Sequence, residues 1–223
     1  NNKLKFCFSS NYLLQSLDNS LKRLNTDYID IYLLHSPPSN MNLSFSFEKK
    51  VEFLKKNKKI LSFGISCNSV ADAFKFIKKY DFIECIQLNF NFLDKRTKEI
   101  FSLARKKNIK IIGRAPYANG MIFKKNINKK FKVNDFRSKY DKSFKKWTAI
   151  QVSKFEKKFK THDLSVFSLK FVISHKDILV TIPGMRSIYQ VNQAIKALKT
   201  LNLNRAEVQR IYKLVPDIYY GWK

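Results

Sequence analysis

Five short apolar runs, at residues 28–35, 60–66, 83–90, 109–114 and 178–183, alternate with amphipathic helical stretches, and this alternation constrains the fold most. The first four recur at intervals of about 25–30 residues, the spacing of βαβ units in a parallel sheet. No hairpin turn joins any two runs, which excludes an antiparallel meander. A closed barrel of this type has eight strands. Five could form an open sheet, but a helix at residues 10–24 precedes the first run, so the chain opens in the middle of a repeat. The expected fold is therefore α/β, a (β/α)8 TIM barrel that is incomplete here. The chain would supply about the last five βα units, with the first three strands missing.

The helices are read from spacing. Ser9 or Ser10 can cap a helix with Leu13, Leu17, Leu21 and Leu24 on one face. Phe47, Val51 and Leu54 mark a second, Val70, Phe74 and Ile77 a third, and Ile100, Phe101 and Ala104 a fourth. A long Lys-rich insertion occupies 117–162, with a helix expected at 143–159 whose Trp147, Ile150 and Phe155 are apolar. Helices at 164–174, 187–198 and 205–215 complete the pattern, within one domain spanning 1–223.

The chain has 223 residues, 44% hydrophobic and 14% aromatic, which argues against disorder. No apolar run is long enough to span a bilayer and no signal peptide opens the sequence, so no membrane is expected. Cys7, Cys67 and Cys85 are odd in number, widely spaced and in apolar contexts, which suggests free thiols in a reducing, cytoplasmic setting. No Cys or His spacing would hold zinc, so no metal is expected; His162 and His175 sit beside helix ends, where capping is the simpler role. The net charge of +27 invites a nucleic-acid partner. Lysine rather than arginine supplies it, alongside much Asn, Ile and Phe, so a solvated Lys-biased surface is favoured and a basic binding surface is the runner-up.

The strand ends carry His35, Ser66-Cys67-Asn68, Gln87-Leu88-Asn89, Arg114 and Gly184-Met185-Arg186. In a parallel sheet these share one face, where such folds place their chemistry. Taken alone, a single histidine there is more often a hydrogen-bonded structural residue than a catalytic one. The few glycines, among them Gly64, Gly113, Gly120 and Gly184, fall at or beside strand ends, where a ligand or a tight turn needs close backbone approach. Ser187 can cap a helix whose N–H groups would receive a phosphate, with Arg186 as a fixed charge.

Residues 20–30 (SLKRLNTDYID) running into Leu34-His35 resemble the SLKRLGTDYIDLY…H signature of aldo-keto reductases. Gly64-Ile65-Ser66 is similar to the family's GVSNF strand end, residues 86–94 (IQLNFNFLD) to its VQxxYNLLD segment, and residues 182–187 (IPGMRS) with Gln190 to its IPGARSxxQ cofactor loop. The resemblance implies NADPH and hydride transfer to a small-molecule aldehyde or ketone. Of the family's Asp, Tyr, Lys and His, only the histidine maps, onto His35, as the catalytic residue. The Asp and Tyr would lie on barrel units this chain does not contain, and Lys3 or Lys5 is a candidate for the lysine. For the cofactor, Ser66 and Gln87 match positions that hold the nicotinamide carboxamide, and Cys67 stands where the family usually has Asn. Arg114 takes the place of the tyrosine that stacks on the nicotinamide. Gly184, Arg186 and Gln190 match the loop around the 2′-phosphate. The chain alone is expected to be inactive, and a non-catalytic binding or regulatory module is the alternative.

Overall fold

The computed structural model describes residues 7–160 and 163–216. Lys3, Lys5 and His162 lie outside them. In chain order the elements are α1 (Ser10–Leu24), β1 (Ile29–His35), α2 (Phe45–Lys56), β2 (Ile60–Ser66), α3 (Val70–Lys79), β3 (Cys85–Asn89) and α4 (Phe101–Lys106). They continue with β4 (Lys110–Arg114), α5 (Lys124–Ile127), α6 (Lys142–Phe159), α7 (Leu164–Ile173), β5 (Ile178–Ile182), α8 (Ile188–Lys199) and α9 (Arg205–Leu214). All five expected strands form. The chain separates into two compact units, one of residues up to Gln87 with Ser102–Lys110, the other of Leu88–Phe101 with the chain from Ile111 onward.

In the first unit β1, β2 and β3 pair in parallel, with His35 beside Ser66 at the carboxyl ends of β1 and β2 and Ser66 beside Gln87 of β3. Gly64 makes the second pairing possible. A Cβ there would sit 2.2 Å from the Cys85 carbonyl oxygen, so this glycine serves strand approach rather than a ligand or a turn. Ser9, Ser44 and Ser69 each cap a helix, accepting from the backbone N–H three residues on. Leu13, Leu17 and Leu21 of α1 are buried at the expected spacing, as are Phe47, Val51 and Leu54 of α2. In α3 the buried stripe is Ala73, Phe76 and Ile77, and Phe74 is only half-buried. The stripe is set by Phe76 stacking on Tyr80, whose hydroxyl accepts from the Leu43 N–H and donates to Asn42.

In the second unit β4 and β5 pair in parallel from Ile111 beside Ile178 to Arg114 beside Ile182, with an irregularity between Ile111 and Ile112. The 117–162 insertion is built rather than loose. It holds two short 3-10 turns, Ala118–Gly120 and Phe136–Lys139, besides α5 and α6. Asp141 caps α6, its carboxylate accepting from the Phe144 N–H at 2.7 Å. The buried face of α6 is Phe144, Thr148, Gln151, Val152 and Phe155, and Phe155 stacks on Phe92 with ring centroids 4.3 Å apart. The expected Ile150 is exposed and Trp147 is half-buried, because Phe144 sets the phase of the helix.

Cys67 and Cys85 are buried free thiols, whereas Cys7, expected in an apolar setting, is exposed. Burial pushes the Cys85 thiol up to about 12, so it behaves as a small apolar side chain. Among the described residues no helix is long and apolar enough to cross a membrane. No group of three or more His, Cys, Asp or Glu there could hold a metal ion.

Candidate functional site

The predicted site residues fall on both units. On the first, His35 and Ser66 close β1 and β2, and Gln87, in the middle of β3, continues the row beside Ser66. Two backbone bonds continue the ladder past these ends, from the Ser36 N–H to the Ser66 carbonyl and from the Cys67 N–H to the Gln87 carbonyl, each 2.9 Å. The row is therefore fixed in backbone. Ser66 Oγ donates to Gln87 Oε1 at 2.9 Å, which leaves the donors on Gln87 Nε2 for another acceptor. His35 is exposed, while Cys67 is buried at 1% exposure.

On the second unit, Arg114 ends β4 and its Nε donates to Asn89 Oδ1 at 2.9 Å. Asn89 thus fixes the guanidinium, and its pairing with Arg114 had no signal in spacing alone. Beyond it, buried Asn91 accepts from the Leu93 and Asp94 N–H groups and donates to the Ala115 carbonyl at 3.0 Å. The Asn91–Asp94 turn is a scaffold that holds the start of the insertion. The backbone after β4 is conformationally unusual: Ala115, Ala118, Asn119 and Gly120 all have positive φ, from 46° to 83°. For a residue with a Cβ this region costs about 1–2 kcal/mol, and clusters of such strain gather at functional sites.

This strained segment forms one wall of a cleft of about 720 Å³, within the range of small-molecule sites. Gly184, Arg186, Ser187 and Gln190 line it as well, so three of the predicted cofactor residues meet here. Ser187 caps α8, accepting from the Gln190 N–H at 3.3 Å, and the Gln190 side chain accepts from the Arg186 N–H at 2.5 Å. Gln190 therefore shapes the loop that carries Arg186. The insertion contributes Lys125, Asp135 and Arg137, to which no sequence motif assigns a role.

The aldo/keto reductase family model matches residues 1–216. This chain belongs to the aldo-keto reductase family. It is 27% identical over 214 residues to the uncharacterized oxidoreductase YqkF of Bacillus subtilis, covering 95% of this chain and 68% of that protein. It is 32% identical over 106 residues to an NADPH-dependent alpha-keto amide reductase of Saccharomyces cerevisiae, covering 45% of this chain and 34% of the yeast protein. The aldo-keto reductase AKR11C1 from Bacillus halodurans, in its holo form, has the same fold, with a TM-score of 0.76 at 24% identity over 95% of this chain and 69% of that one. The five parallel strands thus correspond to the carboxyl-terminal portion of a (β/α)8 barrel. The family's chemistry is hydride transfer on carbonyl substrates, with an NADP(H) cofactor class.

The residues present fit such a cofactor. A Cβ on Gly184 would meet no protein atom within 4 Å, so the space beside this lining residue is open to a ligand. The buried Tyr117 hydroxyl, on the same wall as Asn119, has no hydrogen-bond partner among the described residues. Burial, reinforced by Asp163, pushes its pKa up to about 12, so it stays a protonated donor.

Proposed function

We propose that the chain is the larger part of an NADPH-dependent reductase of small-molecule aldehydes or ketones, with His35 as its catalytic histidine. The observation that carries this reading is the cleft, in which the Gly184–Gln190 loop and the strained segment after β4 face one another. The yeast relative, named as an NADPH-dependent reductase, supports the choice of NADPH. When bound, NADPH supplies the hydride.

The chain's own residues bind and orient. Gln87, with Oε1 engaged by Ser66, offers Nε2 to the oxygen of the nicotinamide carboxamide. Arg114, held by Asn89, presents a planar cation against which an aromatic ring can stack. Arg186 attracts the 2′-phosphate, and Gln190 holds the loop in shape for it. His35 donates a hydrogen bond that positions the substrate carbonyl, the kind of alignment on which a near-attack geometry depends. The substituted Cys67, buried in place of an amide, removes one hydrogen bond from the carboxamide end.

In the full-length protein, His35→Ala is expected to lower carbonyl reduction by about a hundredfold or more, the range of a lost acid–base or donor group, while NADPH binding changes little. The decrease in NADPH absorbance measures the first and fluorescence titration the second. Unchanged turnover in the variant would remove His35 from the mechanism. NADPH binding by the wild-type protein with no reduction of any carbonyl would favour the non-catalytic binding module.

A further inference from the structure

Apart from Lys125 and Arg137, which line the cleft, the basic block of residues 124–160 has no part in the proposed reduction. Lysine and arginine there far outnumber the three carboxylates, Asp135, Asp141 and Glu156. Each of these carboxylates is engaged inside the insertion. Asp135 accepts from Arg137 at 2.6 Å, Asp141 caps α6 by accepting from the Phe144 N–H at 2.7 Å, and Glu156 pairs with Lys124 at 2.6 Å. The other lysines of the block gain no counter-charge from their own segment.

Helix α6 sorts these lysines onto one side. Its buried face is Phe144, Thr148, Gln151, Val152 and Phe155, and helical periodicity puts Lys142, Lys146, Lys154, Lys157 and Lys158 on the outer one. All five are exposed, and none of their ammonium groups pairs with a carboxylate among the described residues. At 1.5 Å per residue the row is about 24 Å long. Packing of the inner face fixes the backbone under it, so the charges are gathered before any ligand arrives. A second concentration of charge lies at the Phe131 ring. Arg137 stands 4.2 Å, Lys145 5.8 Å and Lys129 6.0 Å from its centroid, and Lys145 Nζ donates to the Lys129 carbonyl at 3.2 Å. Phe136, preceding Arg137, is 51% exposed.

The composition of the row selects among anionic partners. A bilayer surface needs apolar side chains to insert. Of its large apolar residues α6 exposes only Ile150, which stands among lysines. Protein interfaces deplete lysine, and a bidentate carboxylate contact favours the arginine fork over an ammonium. A phosphate backbone needs neither an apolar anchor nor a fork, because release of its counterions drives binding. An exposed ring close to the row offers a base a face on which to stack. We infer that the outer face of α6, with the Phe131–Phe136 segment, binds the backbone of a single-stranded nucleic acid without regard to sequence. This binding is independent of carbonyl reduction, and neither rests on the other.

Fluorescence anisotropy of a labelled oligouridylate of about 20 nucleotides, titrated with the full-length protein at several salt concentrations, tests the surface. The wild-type protein is expected to bind with a Kd of about 1–100 μM at physiological salt, and log K should fall linearly with log salt. Lys146→Gln, Lys154→Gln and Lys157→Gln together should weaken binding about tenfold or more and lessen the slope by about 2, the share of three phosphate contacts. Neutralising three exposed lysines of the first unit, Lys56, Lys59 and Lys75, in the same way should change the affinity less than about twofold. Equal losses in the two triple variants would assign the binding to net charge alone and overturn the inference. Absence of wild-type binding in that concentration range would also overturn it. Arginine at the three α6 positions keeps the charge and should keep the affinity; a loss there would show that the row is not what binds. Tighter binding to phosphatidylserine vesicles or to a polyglutamate peptide than to the oligonucleotide would overturn the choice of partner.

Discussion

At His175 the two ring nitrogens have separate partners. Nδ1 lies 2.7 Å from the Phe171 carbonyl, which can only accept, so Nδ1 carries the proton and Nε2 accepts from the Tyr212 hydroxyl at 2.9 Å. The expected capping role holds, since Phe171 lies in the last turn of α7. Burial among Phe90, Phe101 and Phe171 pulls the imidazole below its ordinary 6.5, against the opposing bonds to Phe171 and Val172 and the charge of Asp177. The unfolded chain therefore takes up this proton more readily than the folded one. Stability contributed by neutral His175 is whole above 6.5 and is lost as pH falls through the lowered folded value. The melting temperature should drop between about pH 7 and pH 5, and His175→Gln should flatten that part of the profile; an unchanged slope would exclude His175 as its source. Single residues differed in how far sequence disclosed them. The register that sets His35 beside Ser66 and Ser66 beside Gln87 follows from apolar runs that the sequence displays. The left-handed Ala115 and Ala118 were not legible, since alanine carries no local preference for positive φ and only the surrounding packing imposes it.

Elements whose boundaries rest on local chemistry were the easiest to read. Serines placed before α1, α2, α3 and α8 all cap as side-chain acceptors. The phase of α6 was harder, because its inner face includes two polar residues. Thr148 is fully buried and Gln151 nearly so, and Thr148 Oγ1 and Gln151 Oε1 have no hydrogen-bond partner among the described residues. Hydrophobic periodicity takes no account of a polar residue that points inward, so apolar spacing alone favours Trp147 and Ile150 instead. An unmade hydrogen bond on a buried group costs about 1–3 kcal/mol. Thr148→Val, nearly identical in shape, should raise stability by about 1 kcal/mol, measured as a shift of the urea midpoint at constant slope. A loss of stability would show that the hydroxyl is satisfied in solution. Leu17 of α1 makes the contrasting case; fully buried and apolar, it should lose about 2–5 kcal/mol on replacement by alanine.

On the scale of the whole molecule, the number and order of strands were legible, whereas the insertion between β4 and α7 was not. Its shape depends on contacts such as Phe92 with Phe155 and Arg137 with Asp135, which no period announces. The second unit also exposes a broad apolar surface on β5 and α8. Leu179 and Ile182 are about half exposed, and Ile188 is 81% and Leu198 74% exposed. Exposed large apolar side chains at this density favour association. The 223-residue chain is therefore expected to bind a hydrophobic dye and to self-associate, as judged by light scattering, despite its charge of +27. Ile188→Lys with Leu198→Lys should reduce both signals; a dispersed, dye-free wild-type chain would contradict the expectation.

The bond from the Arg186 N–H to the Gln190 side chain has one more consequence. Because the loop takes its shape from within, its ordering is completed when the chain folds and not when a ligand arrives. An affinity change at Gln190 would then measure restored freedom in the unbound loop, and it would say nothing about which atoms touch a phosphate.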